Sequence, residues 1–435
     1  MRLRRKVLMF GGRTRRTVVF IVALAVGVAA RAEDWPQWRG AKRDGAWGET
    51  GLLKAFPAEG LKIRWRRAVG WGWSSPVIAG GRVFVTDSEL MRPAAKERVH
   101  SFDEATGKPL WTYSHEVTYP DWAFEGSHGS GPTATPIVDA GKVYTLGANG
   151  HVHCLNALSG EVVWETNLGK QYQIREMICR ASPLIEGDLL IVFTGGKPGA
   201  CLVALDKNSG KEVWKALDES VSNSSPMVVE AGGRRQLIVW TCESVTSLDP
   251  RAGKMYWRER MVTSSNDAIS SPVSHGDWLL IGGLMLELKA DKPAASVLWP
   301  ATRAVSRRVL SNTSTALLRG DHVFSAKSSG ELVCLEARTG KQVWETDKVT
   351  DLKGGASIHL TPAGDVVFLY NEKGELILAE LSAKGYQEIS RSRLLEPTYP
   401  FGGRKCAWAP PAYANGHVFA RSDTELVSAS LAAKP

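Results

Sequence analysis

"ALDKNSGKEVW" (residues 204–214) is one of five versions of the same phrase in this chain. The others are SFDEATGKPLW ending at Trp111, CLNALSGEVVW at Trp164, SLDPRAGKMYW at Trp257 and CLEARTGKQVW at Trp344. Each has a Gly four residues before the Trp (Gly107, Gly160, Gly210, Gly253, Gly340) and a small residue ten before it (Ser101, Cys154, Ala204, Ser247, Cys334). Two weaker copies continue the series: Trp299 has lost the glycine of its turn, and Ile389 keeps Gly385 but has replaced the Trp. Successive anchors are 42 to 53 residues apart, and a fixed period of that length marks a repeat array.

The same local chemistry recurs within each period. A Ser-Pro or Thr-Pro pair (Ser75-Pro76, Thr135-Pro136, Ser182-Pro183, Ser225-Pro226, Ser271-Pro272) precedes a short apolar strand, a turn, and then a β-branched and aromatic strand such as RVFVTD or LLIVFT. The hydroxyls are read as satisfying backbone groups where the strand begins, with lining of a channel as their other use. Gly is needed before the Trp because a tight hairpin with a bulge demands positive φ. Four short antiparallel strands without a helical pattern make one propeller blade. Trp65, Trp111, Trp164, Trp214, Trp257, Trp299 and Trp344 are expected to lie flat against the neighbouring blade, each burying on the order of 200 Å². After the seventh period only three strands remain (411–431), while LKIRWRRAV (61–69) is a lone Trp strand near the other end. Pairing the two closes the ring and removes its open edge. The expected fold is therefore all-β: an eight-bladed β-propeller, four antiparallel strands per blade, with the last blade closed by an N-terminal strand.

The formal charge of +9 does not belong to that ring. Residues 1–32 hold eight of the 54 basic side chains and none of the 45 acidic ones, leaving 46 against 45 in the rest. A nearly neutral body gives no reason to expect a nucleic-acid partner. Residues 1–32 read as a secretory signal peptide: a basic region (2–16), an apolar run (17–29) and the small-x-small site Ala30-Arg31-Ala32. The run is shorter than the ~20 residues of a membrane-spanning helix, so no transmembrane span is expected in the mature protein. The chain is expected to be exported, periplasmic or cell-envelope associated, with an N-terminal arm at 33–60 and the propeller at 61–435. TRRTVV (14–19) leaves a twin-arginine export route open beside the general one. Six cysteines without a CxxC are read as small buried side chains, their pairing undecided by sequence.

An eight-bladed ring with ALDxxTGKxxW-type turns resembles the pyrroloquinoline quinone (PQQ)-like repeat superfamily over residues 61–431. The opening DWPQWRGAKRDG (34–45) is similar to that of exported PQQ-binding-like β-propeller repeat proteins. The resemblance implies one of two branches: PQQ-dependent dehydrogenases, or non-catalytic BamB-like propellers of outer-membrane assembly. In the first branch a Glu ligates Ca²⁺ beside the quinone, but here Gly195-Gly196-Lys197 stands in the matching place, and an ammonium repels a metal. The adjacent cysteine pair of that branch is absent, and the blade that supplies its acidic base keeps Asp267 without the flanking aromatic and second acid. No cofactor is expected; PQQ with calcium belongs to the alternative reading. The BamB comparison departs too, since no lipid-anchoring Cys follows residue 32.

The loops that lead into the innermost strands supply the candidate ligand-binding residues Trp73, His128, Arg175, Arg180, Asp267, Arg307, Arg308, His359, Lys405 and Trp408. The set is basic and aromatic on a neutral body. That contrast points to an anionic or carbohydrate ligand or an acidic peptide at the channel mouth, against solvated loop ends as the plainer reading. GSHGSG (126–131) has no following helix or Lys-Ser pair and reads as a connection, not a phosphate loop. His151 and His153 share a strand face but have no third ligand close in sequence, so no metal site is assigned. No catalytic residues are assigned. The function expected is that of an exported protein-binding and assembly scaffold, monomeric, whose partner is an envelope protein or an anionic or carbohydrate ligand; a quinoprotein dehydrogenase and a ligand-binding propeller are the alternatives.

Overall fold

The computed structural model of the chain describes residues 33–125, 131–175, 177, 179–263, 268–300, 310–311, 313–351 and 356–433. Eight four-stranded antiparallel sheets are present among them, with one additional two-stranded ribbon. In chain order the blades occupy residues 77–117 (blade 1), 137–167 (2), 184–216 (3), 227–260 (4), 273–299 (5), 317–346 (6) and 358–393 (7). Blade 8 combines Ala412–Ala414, His417–Arg421 and Glu425–Ser430 with the N-terminal strand Ile63–Ala68. The ring is thus closed by pairing its two ends, as the sequence predicts.

The register explains why three residue types recur together. In each complete repeat the small residue stands directly across from the Trp on the neighbouring strand: Ser101 opposite Trp111, Cys154 opposite Trp164, Ala204 opposite Trp214, Ser247 opposite Trp257 and Cys334 opposite Trp344. Blade 8 repeats the pairing across the closure, with Ser428 opposite Trp65. A one-residue bulge follows each internal pair, which increases the local twist of the outer strand. A short cross-strand partner leaves the indole room to lie over the sheet.

The conserved spacing of Gly has a second cause beyond the turn. Gly107, Gly160, Gly210, Gly253 and Gly340 have φ between 66° and 77°, and each faces the indole of the preceding blade. A Cβ on Gly210 would stand 2.5 Å from Trp164, one on Gly107 2.6 Å from Trp65, and one on Gly340 2.7 Å from Trp299. The indole Nε1 then donates to a carbonyl of the same turn: Trp65 to Glu104 (2.9 Å), Trp111 to Ala157 (3.1 Å), Trp164 to Lys207 (3.0 Å), Trp214 to Pro250 (3.2 Å) and Trp299 to Ala337 (2.7 Å). Each Trp is therefore plugged into the next blade. At ~25 cal/mol per Å², the burial contributes up to about 5 kcal/mol per seam.

Trp257 is the informative exception. The matching turn of blade 5 has Asp291-Lys292-Pro293 in place of the glycine turn, and Trp257 Nε1 donates instead to Gln236 Oε1 of its own blade (2.8 Å). Its ring still packs on the apolar cluster shared by blades 4 and 5. The Ser/Thr-Pro hydroxyls also act between blades. Ser75 N donates to Thr135 Oγ1 (3.0 Å), Thr135 N to Ser182 Oγ (3.0 Å), Ser182 N to Ser225 Oγ (2.9 Å) and Ser271 N to Thr315 Oγ1 (3.0 Å). They satisfy backbone groups, as expected, but of the preceding blade, forming an inner belt of hydrogen bonds opposite the outer belt of indoles. All six cysteines are free thiols, five of them buried.

Candidate functional site

The arm that precedes the ring runs through its channel. Trp35 exchanges backbone hydrogen bonds with Ile78 of blade 1, and Pro36 O accepts from Val138 N of blade 2. Trp38 Nε1 donates to Ser271 Oγ of blade 5 (2.8 Å), and Trp47 N to Pro362 O of blade 7 (2.9 Å). Arg43 reaches blades 3 and 4, donating to Pro183 O (2.8 Å) and Pro226 O (2.9 Å). A segment that bonds to the innermost strands of blades on opposite sides of a ring must cross its axis. Asp34 and Glu49 fix its ends at the turns between first and second strands, accepting from Gly80 N and from Gly416 N (2.7 Å). The arm is a plug inserted from that face.

The plug carries uncompensated positive charge. Arg43 is 8% exposed and meets three oxygen acceptors, Gln37 Oε1 and the two proline carbonyls, none of them a carboxylate. Burial, reinforced by the neighbouring Arg39, pushes its pKa down to about 9; burial takes Arg39 to about 10, with Asp44 opposing. A small cavity of about 30 Å³ remains beside Arg39, lined also by Trp35, Trp38, Ser75, Thr315 and His359. His359, one of the residues singled out in the sequence, is therefore inside the channel and not at its rim. Its Nε2 lies 3.1 Å from Trp408 O, and burial holds its pKa down near 4, so the ring is neutral at pH 7.

The opposite face carries the mouth. The connection from blade 7 to blade 8 folds into the ribbon Tyr399–Phe401 with Arg404–Cys406. Trp73 sets its ring edge-on against Tyr399 (4.9 Å between centroids), and Phe401 meets Trp408 edge-on (5.2 Å). Trp73, Tyr399, Phe401 and Trp408 thus make one aromatic patch, with Phe401 42% exposed. Arg180 is half-buried near it. Its Nε donates to Met177 O (3.0 Å), and burial lowers its pKa while Tyr399 and Tyr119 oppose the shift. Behind Trp73, Asp423 is buried with its pKa raised by burial, opposed by Arg421 and by a hydrogen bond from Thr398 (2.9 Å). Lys405 and Arg175 are exposed.

The structure therefore brings together Trp73, Arg180, Lys405 and Trp408, and places Arg175 on the exposed approach to blade 3. His128, Asp267, Arg307 and Arg308 lie outside the described residues. Sequence reasoning missed Tyr399 and Phe401, although EPTYPFGGRKC (396–406) carries a ribbon signal in its Gly-Gly turn between aromatic and basic residues. It also missed Arg39 and Arg43, both with positive φ (61° and 57°), which is uncommon for non-glycine residues and gives no sequence signature.

A family model described as "Outer membrane protein assembly factor BamB" matches residues 46–114, 95–284 and 244–388. The chain belongs to the BamB family. BamB of Shewanella oneidensis is 22% identical over 349 residues, covering 78% of this chain and 72% of that protein. The crystal structure of BamB from Moraxella catarrhalis covers 85% of this chain and 99% of its own, with TM-score 0.58 at 19% identity. The quinohemoprotein alcohol dehydrogenase of Comamonas testosteroni gives TM-score 0.64 at 14% identity, covering 92% and 81%. At such identities the solved structures establish a shared propeller, and the chemistry has to be read from the residues.

In this BamB-family ring the residues do not fit a calcium-bound quinone. Lys197, where the resemblance places the dehydrogenase calcium ligand, is exposed at the end of Leu189–Gly196 and pairs its backbone with Gln173. The adjoining glycines are packed by apolar side chains: a Cβ on Gly195 would meet Val221 at 2.8 Å, and one on Gly196 Tyr172 at 2.9 Å. As the side chains stand, no three His, Cys, Asp or Glu among the described residues are set to hold a metal ion. A hard divalent cation needs six to eight oxygen ligands, and that place offers an ammonium.

Proposed function

We propose that this chain is an exported, non-catalytic BamB-like scaffold of the bacterial envelope, whose working surface is the aromatic and basic mouth formed by Trp73, Tyr399, Phe401, Lys405 and Trp408 with Arg180. The observation that carries the reading is the division of the two faces. One end of the channel is filled by the chain's own arm, and the other presents the aromatic patch, of which Phe401 is exposed and Tyr399 buried, with the exposed Lys405 and the half-buried Arg180 beside it. Large rings with a polar end beside a cation are the residue types that concentrate binding energy at protein interfaces. The partner surface such a mouth fits is acidic, with an extended segment that reaches between Trp73 and Trp408. The positive apron of Arg175, Arg180 and Lys405 steers that partner and makes association salt-dependent.

Family membership and the leader (1–32) together support a periplasmic, envelope-associated location. No helix among the described residues is long and apolar enough to cross a membrane. The plug supports scaffolding over catalysis in one further way: Trp35, Trp38 and Arg39 of the arm occupy part of the channel and line the small cavity there. The test is a pull-down from native envelopes with the mature protein, comparing wild type with Trp408→Ala plus Lys405→Glu. Recovery of outer-membrane assembly components by the first and not the second supports the proposal. Quinone-dependent dye reduction after adding PQQ and Ca²⁺ would overturn it.

A further inference from the structure

The inner belt of hydrogen bonds breaks where the ring closes. In blades 1 to 6 the residue two before the first strand is Ser or Thr (Ser75, Thr135, Ser182, Ser225, Ser271, Thr315). Four times the backbone N–H at that position donates to the hydroxyl of the next blade. In blade 8 the same position is Pro410, which has no N–H to give. Ser75 Oγ, next round the ring, is buried with no hydrogen-bond partner. It lines the cavity of about 30 Å³ together with Pro410, Pro411, Thr315 and Arg39. Thr315 Oγ1 accepts from Ser271 N, and its own hydrogen has no acceptor among the described residues. Arg39 brings charge to the same place. Its Nε and Nη2 donate to Arg43 O (3.3 Å) and Asp44 O (2.6 Å), and Gly45 packs so closely that a Cβ there would stand 2.7 Å from Nη2. These contacts hold the guanidinium and leave Nη1 without a partner among the described residues. Asp44 is exposed and gives its Oδ1 to Ala46 N (2.9 Å), and no Asp or Glu lines the cavity. Two guanidiniums without a counter-charge, Arg39 and Arg43, beside an unpaired buried hydroxyl are costly unless a negative group meets them.

We propose that this cavity is a binding site for one small monovalent anion of the halide class, chloride in the cell envelope, which fastens the arm to the seam between blades 8 and 1. The donors are in place as the side chains stand. Arg39 supplies the charge, and the hydroxyls of Ser75 and Thr315 donate by turning their hydrogens alone, with no heavy atom moved. The cavity volume of about 30 Å³ is at least twice the ~10–15 Å³ that one water needs, which suits a single halide ion. Charge separates the ion from water as the occupant. A water would satisfy Ser75 Oγ but leave both guanidiniums uncompensated, whereas an anion answers both. Trp35, Trp38 and the two prolines wall the site, and between apolar walls the attraction to Arg39 is screened less than in bulk water. His359 on the wall is neutral at pH 7 and adds no competing charge. Arg39 is only partly buried, which leaves a route from solvent. Insertion of the arm is then linked to chloride concentration.

The experiment uses the full mature protein in NaCl, in NaBr and, at equal ionic strength, in sodium gluconate, whose anion is too bulky for the cavity. Bromide is located by anomalous diffraction from crystals grown in NaBr, and chloride binding in solution is followed by chloride NMR line broadening. The expected result is one bromide peak between Arg39 and Ser75 Oγ, with saturable broadening that Arg39→Gln and Ser75→Ala each weaken at least about tenfold, the share of one hydrogen bond to a charged group. Ser75→Ala separates an ion from a merely structural role. Its hydroxyl accepts nothing, so in gluconate the variant is expected to keep the wild-type urea midpoint, and on exchange into chloride to lack the rise that wild type shows. Absence of a bromide peak in the cavity overturns the proposal, whether or not the variants fold. So does a peak without saturable broadening, which is binding at crystal concentration only, or a chloride rise in Ser75→Ala equal to that of wild type.

Discussion

Gly210→Ala tests the idea that each repeat glycine exists to receive the previous blade's indole. The new Cβ would stand 2.5 Å from Trp164 Cε3, 2.8 Å from Cδ2 and 3.0 Å from Cζ3, at a φ of 70°. Left-handed backbone costs a non-glycine residue about 1–2 kcal/mol, and forcing a methyl into a packed contact adds about 1–3 kcal/mol. The total expected is about 2–5 kcal/mol. Gly187→Ala is the matched control. Its φ is 60° and its Cβ meets nothing within 4 Å, so only the backbone cost of about 1–2 kcal/mol applies. Trp164→Ala alone should cost about 3–5 kcal/mol. Once the ring is gone the methyl has space, so the double variant Gly210→Ala, Trp164→Ala should cost about 1–3 kcal/mol less than the sum of the singles. Urea unfolding followed by far-ultraviolet circular dichroism measures all four. Equal costs for Gly210→Ala and Gly187→Ala, or strict additivity in the cycle, would refute the reasoning.

Three further outcomes are expected. Ser182→Ala removes the acceptor of Thr135 N between blades 2 and 3 and should cost about 1–3 kcal/mol for the buried amide left unpaired, read as a lower urea midpoint. Arg43→Met removes its donations to Pro183 O and Pro226 O; losing about 1.5–3 kcal/mol of charged hydrogen bonding should speed proteolytic cleavage within residues 33–48 at least tenfold. Stability should fall as the solution is acidified from pH 6.5, because His115 and His153 are held by burial near pKa 4 and 3 in the folded ring and return to about 6.5 on unfolding. The unfolded chain then binds the extra protons, at a cost of up to about 2 kcal/mol per ring by pH 5. Thermal scans from pH 7.5 to 5 on wild type and His153→Gln measure it, and the variant should show the shallower slope.

The ring was legible because its cause is local and repeated. Gly, Trp and a small residue at fixed offsets are the contact set of one seam, so the sequence displays each seam separately. Even the exception is written there, since the Asp291-Lys292-Pro293 turn removes the glycine that Trp257 would have used. What did not show is whatever joins distant blades without periodicity. Arg39 and Arg43 bond to proline carbonyls and loop backbone, acceptors that every residue owns, and so leave no complementary pattern. His115 lies 36 residues before His151 and meets it only because the outer strand of one blade faces the third strand of the next. The mouth was half legible: its cations and Trp73 and Trp408 stood out by composition, whereas Tyr399 and Phe401 acquire their role from a ribbon folded between blades.

The central claim, that this propeller works by holding a partner at the mouth opposite its arm, is tested most directly by placing a photo-crosslinking amino acid at Lys405 and irradiating native envelopes. The account expects a discrete adduct with an outer-membrane assembly component, lost when Trp408 is replaced by Ala and absent when the crosslinker sits at Val213 on the outer rim, which is exposed. No adduct from Lys405, or the same adduct from Val213, would contradict it.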